Sequence, residues 1–387
     1  MSASEQPQSG RPAAERSRRP GARRRAAGWV ALLLGFAATA GLAAAPAPFV
    51  IEQPGPVLNV LGDVTLQGQQ QPQPLISIAD APEHEASGQL DMLTVTRVGD
   101  PDKLPGWLTV IMAWFDPTKV LLPVGDVFPP GYTAQDQATQ DAAQMSSSQD
   151  VAVAAALGQL GIPYQTTITV QTVGTGAPAA GLLQQGDVIQ SVDGSAVSSM
   201  DQVAQLVRGT PSGQDVVFGI QRNGQPQTVS VTPQLALASD GKEYPYVGIS
   251  GSAQYAFPVS VSYAVQNIGG PSAGMVFSIG IIDKLTDGKL LGDLPVAGTG
   301  TIDASGNVGA IGGVRQKAFG AAAAGAKAML IPRANCAELG DGLPSQMAVY
   351  PVSTLQDALH VLSVLRDGGD ASQLPSCPLS QHAAADG

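Results

Sequence analysis

Gly269-Gly270-Pro271-Ser272-Ala273-Gly274 opens an apolar run that reads AGMVFSIGII from Ala273 to Ile282. Forty-five residues after Ser272 comes Lys317, which closes Gly312-Gly313-Val314-Arg315-Gln316-Lys317 and leads into the Ala-rich run AFGAAAAGA. The first run predicts a buried helix, with Pro271 pre-set for a first turn and the glycines allowing a tight entry. Ser272 is then expected at the helix mouth, where unpaired N–H groups and the positive end of the dipole point outward. An oxyanion held there gains about 3–4 kcal/mol per donor. A serine that merely caps the helix is the plain alternative.

In the second helix, Val314, Lys317, Ala321 and Ala324 share one face by their spacing. A lysine among small apolar groups is desolvated, which lowers its pKa and favours the neutral amine. Such an amine can activate a serine, a poor nucleophile at neutral pH, without histidine. The competing expectation is a lysine that snorkels off the Ala-rich face.

The stretch from Gly269 to Pro332 resembles the proteolytic domain of Lon proteases. It has GPSAG around Ser272, TG at Thr299-Gly300, G-x-V-x-x-I-G-G from Gly306 to Gly313, and Lys317 after it. The resemblance implies a catalytic Ser272–Lys317 dyad, with Thr299 beside it and hydrogen-bonding within it, and Gly270 and Pro271 supporting the serine. It departs from the family at Gly269, where many members carry an acidic residue. The chain has no G-x-x-x-x-G-K-[ST] phosphate loop, so proteolysis without ATP is expected. No cofactor or metal is expected either: the three histidines, His84, His360 and His382, stand in no ligand spacing. His360, near Leu359 and Leu362, is expected to be partly buried.

At the N-terminus, seven arginines face two glutamates in residues 1–26, although the whole chain carries a net charge of −11. Ala27 to Ala45 then holds 19 residues without a charge, close to the length that crosses a bilayer. The reading is a cytoplasmic basic tail (1–26), a transmembrane helix (27–47) and an acidic extracytoplasmic remainder. A cleaved secretory signal stays open, since small residues follow the apolar stretch. An acidic exterior argues against nucleic acid as a partner. Pro46 to Pro74, rich in Pro and Gln, reads as an extended stem (48–85). In 86–160, LDMLTVTRV reads as a strand, GWLTVIMAWFD as a buried amphipathic segment, and Thr133 to Gln159 as a helix packed on the peptidase unit.

Residues 161–235 alternate as strands around Gly186-Asp187, Asp193-Gly194 and the turn pair Asn223-Gly224, with a helix from Ser199 to Arg208. This unit resembles a PDZ domain, which implies capture of extended peptides by strand addition. Leu160-Gly161-Ile162 resembles its carboxylate-binding loop, while Asp187 and Asp193 are expected to fix turns. The peptidase unit is placed at 243–366 and a tail at 367–387. With exactly two cysteines outside the cytoplasm, a Cys336–Cys377 disulfide is expected.

The whole is read as an α+β chain: a transmembrane helix, a β-rich PDZ-like domain and a Lon-type α/β proteolytic domain. That order resembles the membrane-anchored, PDZ-containing Lon-like proteases of bacteria. The resemblance implies an ATP-independent serine endopeptidase with protein or peptide substrates and a homo-oligomeric ring. A peptide-binding adaptor that has lost turnover is the alternative.

Overall fold

The computed structural model describes residues 20–66, 68–129, 131–211, 213–237, 241–265, 268–340 and 342–377. Most of the expected basic tail, the end of the C-terminal tail and His382 lie outside the described residues. In chain order, helix α1 (Pro20–Ala44) leads to strands β1 (Phe49–Asn59) and β2 (Gln89–Val98). Helix α2 (Trp107–Trp114), strand β3 (Val120–Pro123), the short helix α3 (Val124–Val127) and the long helix α4 (Ala134–Gln159) follow.

A second unit holds β4 (Gln165–Val173), β5 (Val188–Val192), α5 (Met200–Gly209), β6 (Val216–Arg222), β7 (Gln225–Val231) and β8 (Ile249–Ala256). The chain then returns through α6 (Gly274–Leu285), β9 (Pro295–Gly298), α7 (Val314–Ala323), β10 (Ala328–Pro332), β11 (Ala348–Val352) and α8 (Leu355–Arg366).

The first and last parts build one six-stranded mixed sheet in the order β11-β10-β9-β2-β1-β3. Side chains on a strand alternate between faces, and this sheet is covered on both. Leu90 and Met92 of β2, with Ala328 and Leu330 of β10, join the core formed with α4, α6 and α8. Leu93, Met329 and Ile331 point the other way, onto Val314, Ala318 and Ala321 of α7. Helix α6 is buried almost throughout, because the sheet and two helices surround it; hence its unbroken apolar run. Thr133 caps α4 in a reciprocal capping box with Asp136, and Thr354 does the same for α8 with Asp357.

The expected stem at 48–85 is corrected. β1 pairs with both β2 and β3 inside the sheet, and Val50, Ile51, Val60, Leu75 and Ile76 are buried. Its prolines misled because they sit in a bulge, where the β1–β2 register shifts between Pro54 and Val57. An irregular stretch spares proline the ladder bond it cannot donate. Gly55 fits there because a Cβ would lie 2.4 Å from Thr94 Oγ1.

The α1 helix ends at Ala44 rather than near residue 47, and Ala47 is fully buried in the body. GWLTVIMAWFD is not a buried segment: only Val110 and Ala113 of α2 are buried. His360 is exposed, and so is Ala324, which is the C-cap of α7 rather than part of its buried face.

The second unit is a five-strand path β7-β6-β5-β4-β8 around its own core of Ile168, Val170, Ile189, Phe218 and Ile220. β8, placed by sequence in the peptidase unit, closes this sheet by pairing along all of β4. Asp187 accepts two hydrogen bonds from Arg222 and one from the Gln184 N–H. Asp193 and Asn223 take left-handed φ of 48° and 52° in their turns, and Asp193 accepts from the Val217 N–H. A disulfide joins Cys336 to Cys377, with Cα atoms 5.3 Å apart.

Candidate active site

Ser272 lies two residues ahead of α6, whose N-cap is Ala273 with no side-chain capping bond. The hydroxyl is therefore not spent as a helix cap. The expectation of free helical N–H groups beside it is corrected in part. The Gly274 N–H bonds Pro271 O and the Met275 N–H bonds Gly300 O, so neither is available to an oxyanion.

Two neighbours fix the serine's backbone instead. The Thr299 hydroxyl and the Gly300 N–H both donate to Ser272 O, at 3.1 and 2.8 Å. Thr299, wholly buried at the end of β9, thus acts on the main chain of residue 272. Helix α4 clamps the approach: Ser148 Oγ donates to Pro271 O, and the Gly270 N–H donates to Asp141 O. Gly270 takes φ 87°, a left-handed conformation that favours glycine. At Gly274 a Cβ would lie 2.9 Å from Ser148 Oγ and 3.0 Å from Ile302, so the close approach of α4 requires glycine.

Lys317 is 2% exposed on α7, so it does not snorkel. Burial lowers its pKa to about 8; the Glu52 carboxylate pulls it up and the Arg97 guanidinium pushes it down further. Glu52 and Arg97 pair at 2.9 Å on β1 and β2. The turn into α7 is held by Asn335, which is fully buried and bonds both the N–H and the C=O of Ile311.

Ser272 and Lys317 line one cleft of about 640 Å³, with Gly270, Pro271, Glu52, Arg97 and Asp141. A smaller recess of about 220 Å³ also reaches Ser272 and is walled by Met92, Leu93, Met145, Ile268 and Ala273. The structure thus brings together Ser272, Lys317, Gly270 and Pro271, with Thr299 behind the serine. Among the described residues no cluster of His, Cys, Asp and Glu is arranged to hold a metal.

Sequence reasoning missed Glu52, Arg97 and Asp141. Asp141 had one available signal, the glycine at 269: a Cβ there would lie 2.4 Å from the Cβ of Asp141. The aspartate of α4 fills the space a side chain at 269 would need.

Leu160, Gly161 and Ile162 do not form a peptide-binding loop. Leu160 is the C-cap of α4, Gly161 takes φ 68° and the Ile162 N–H bonds Leu157 O. Leu160 and Ile162 pack against the peptidase core. The groove of the second unit lies beside α5, between Met200, Val203 and Val207 and the segment from Tyr244 to Ile249.

Residues 261–364 match the Lon protease (S16) C-terminal proteolytic domain, and residues 143–232 match the PDZ domain. A Lon protease of Fusobacterium nucleatum is 39% identical over 98 residues, 24% of this chain and 12% of that protein. One from Chloroflexus aurantiacus is 38% identical over 95 residues, 24% of this chain and 11% of that protein. The match thus spans about an eighth of the length of these curated relatives. The PDZ domain of an SdrC-like protein from Listeria innocua aligns at 25% identity over 22% of this chain and 92% of that one, with a TM-score of 0.20. The chain carries a Lon-type C-terminal proteolytic domain, a peptidase domain, together with a PDZ domain.

Proposed function

We propose that this protein is a serine endopeptidase working through Ser272 and Lys317, without ATP, on extracytoplasmic or membrane-associated proteins. The observation that carries this reading is a lysine 2% exposed, its pKa pulled to about 8, lining the same cleft as an uncapped serine. Neutral Lys317 Nζ takes the Ser272 Oγ proton as Oγ bonds the peptide carbonyl carbon. The resulting ammonium returns a proton to the leaving amine as the C–N bond breaks. Water, deprotonated by the same amine, then releases the acyl group and regenerates the serine. Thr299 holds the serine through its backbone carbonyl, and Gly270 and Pro271 set the turn.

The recess walled by Met92, Met145 and Ile268 suits an apolar substrate side chain. In the PDZ unit, an extended peptide would lie along the edge strand β8, against α5. Helix α1, with an uncharged 18-residue span of mean hydropathy 1.8 from Ala27 to Ala44, would hold the protein at a membrane or export it as a signal sequence. We take it as a retained anchor, with the domains outside the cytoplasm.

The test is covalent labelling by an acylating serine-directed probe. Wild-type chain should be labelled at Ser272, while Ser272→Ala and Lys317→Arg should not, since a guanidinium stays charged and cannot act as base. Unlabelled wild-type protein, or a labelled and active Lys317→Arg protein, would sink the dyad.

A further inference from the structure

The sequence WLTVIMAW of α2 contains no charged residue. Val110 and Ala113 are buried against Ile51 and Ala47, and Trp107 packs half-buried beside them, edge-on to Phe49. Leu108, Ile111, Met112, Trp114 and the adjoining Phe115 are between 51% and 81% exposed. Single exposed apolar side chains are ordinary, but a contiguous face of five is not. A surface helix normally turns polar residues outward; this one turns Leu108, Ile111, Met112 and Trp114 outward.

Its position says what covers it. The Trp107 N–H bonds Ala45 O at 3.2 Å and the Ala47 N–H bonds Pro105 O at 2.8 Å. Gly106 sits so close to the last turn of α1 that a Cβ would lie 2.8 Å from Ala43 O. Thus α2 starts where the apolar span of Ala27 to Ala44 ends.

We propose that α2 lies in the bilayer interface at the exit of α1, with Leu108, Ile111, Met112, Trp114 and Phe115 inserted among lipid head groups and upper acyl chains. Aromatic rings suit that depth, and an apolar helix face binds there in proportion to the area it buries. The surrounding charges nearly cancel: Lys103 and Lys119 stand against Asp100, Asp102 and Asp116, and Lys119 pairs with Asp116. Attachment should therefore be apolar in origin and indifferent to anionic lipid.

One consequence concerns substrates. Gly99, Asp100 and Pro101, which lead into α2, and Val127 and Phe128, which follow it, all line the Ser272 cleft. A helix seated in the interface would hold that rim beside the membrane, favouring cleavage of membrane-proximal segments. The inference rests on reading α1 as a membrane span.

The chain has three tryptophans, Trp29, Trp107 and Trp114, which allows both readings to be tested separately in full-length protein. In phosphatidylcholine vesicles with brominated acyl chains, the Trp29→Phe/Trp107→Phe variant reports Trp114 alone. The Trp107→Phe/Trp114→Phe variant reports Trp29 in α1. Both tryptophans should be quenched about twofold or more relative to unbrominated vesicles. Quenched Trp29 with unquenched Trp114 would leave the anchor standing and overturn the interfacial helix. An unquenched but blue-shifted Trp114 would mean that protein, such as a second copy, covers the face, and would overturn it too. Neither being quenched would remove the anchor and this inference together. In wild-type protein, a photoreactive phosphatidylcholine should leave adducts within residues 108–115; a reaction confined to α1 would again overturn it.

Discussion

At the scale of single residues, the cleft depends on how α4 and the Glu52–Arg97 pair supply groups to a turn with almost no side chains. Because Lys317 must be neutral to accept a proton and its pKa is pulled to about 8, kcat/KM should rise about tenfold per pH unit below that point and level off above it. The two partners should move this profile in opposite directions. Glu52→Gln removes the charge that raises the lysine pKa, so the rise should shift to lower pH; Arg97→Gln should shift it to higher pH. A pH series on peptide substrate checks the signs. Gly269→Ala places a Cβ 2.4 Å from the Cβ of Asp141. Displacing the GPS turn by a fraction of an ångström should cost roughly 10–100-fold in kcat/KM. Adding Asp141→Gly to that variant should restore part of the loss, which kinetics on the double variant would detect.

At the scale of elements, the PDZ unit has its own core and its own ion pair on a buried carboxylate, so its stability can be changed separately. Asp187 is 1% exposed and bonded by Arg222 through two nitrogens. Arg222→Met would strand a buried carboxylate, at a cost of roughly 3 kcal/mol. Hydrogen exchange should show the loss in β4, β5 and β6 while the peptidase sheet keeps its protection. The elements also show where sequence patterns were readable. Helices α4 and α6 were legible because a capping threonine and a long apolar run mark them locally. Strand β1 was not, because Pro54, Gly55 and Pro56 look like linker until the bulge opposite β2 accounts for them. The segment of α2 read as core, since hydropathy cannot separate a helix whose apolar face is packed on protein from one whose apolar face is exposed.

At the scale of the whole molecule, the disulfide ties residues 336 and 377 across a separation of 41 and spans all of α8. Loop closure of that length is worth about 4 kcal/mol, less any strain. Purified protein should lose thermal stability when reductant is added, and Cys336→Ser/Cys377→Ser protein should be insensitive to it. Topology supplies a further check: a reporter fused after Gly387 should be active only if it works beyond the cytoplasm. Activity of a cytoplasm-only reporter would reverse the proposed orientation.

The sequence by itself determined the peptidase domain, because GPSAG, the following Thr-Gly, the Gly-rich turn and Lys317 are local strings whose backbone demands are met by a few residues each. It likewise determined the PDZ unit through its turn pairs and alternating strands. Tertiary structure alone decided what surrounds Ser272. The carboxylate and guanidinium beside Lys317 come from residues 52 and 97, and the aspartate against Gly269 comes from residue 141, all far away in sequence. It also decided that β8 belongs to the PDZ sheet and that the Leu160 turn belongs to the peptidase core. The reason is the same throughout. Capping, turn chemistry and hydrophobic periodicity act over a few residues and leave a mark in the string. Sheet partners, lysine burial and the clearance around a glycine depend on contacts between distant segments, which exist only once the chain is packed.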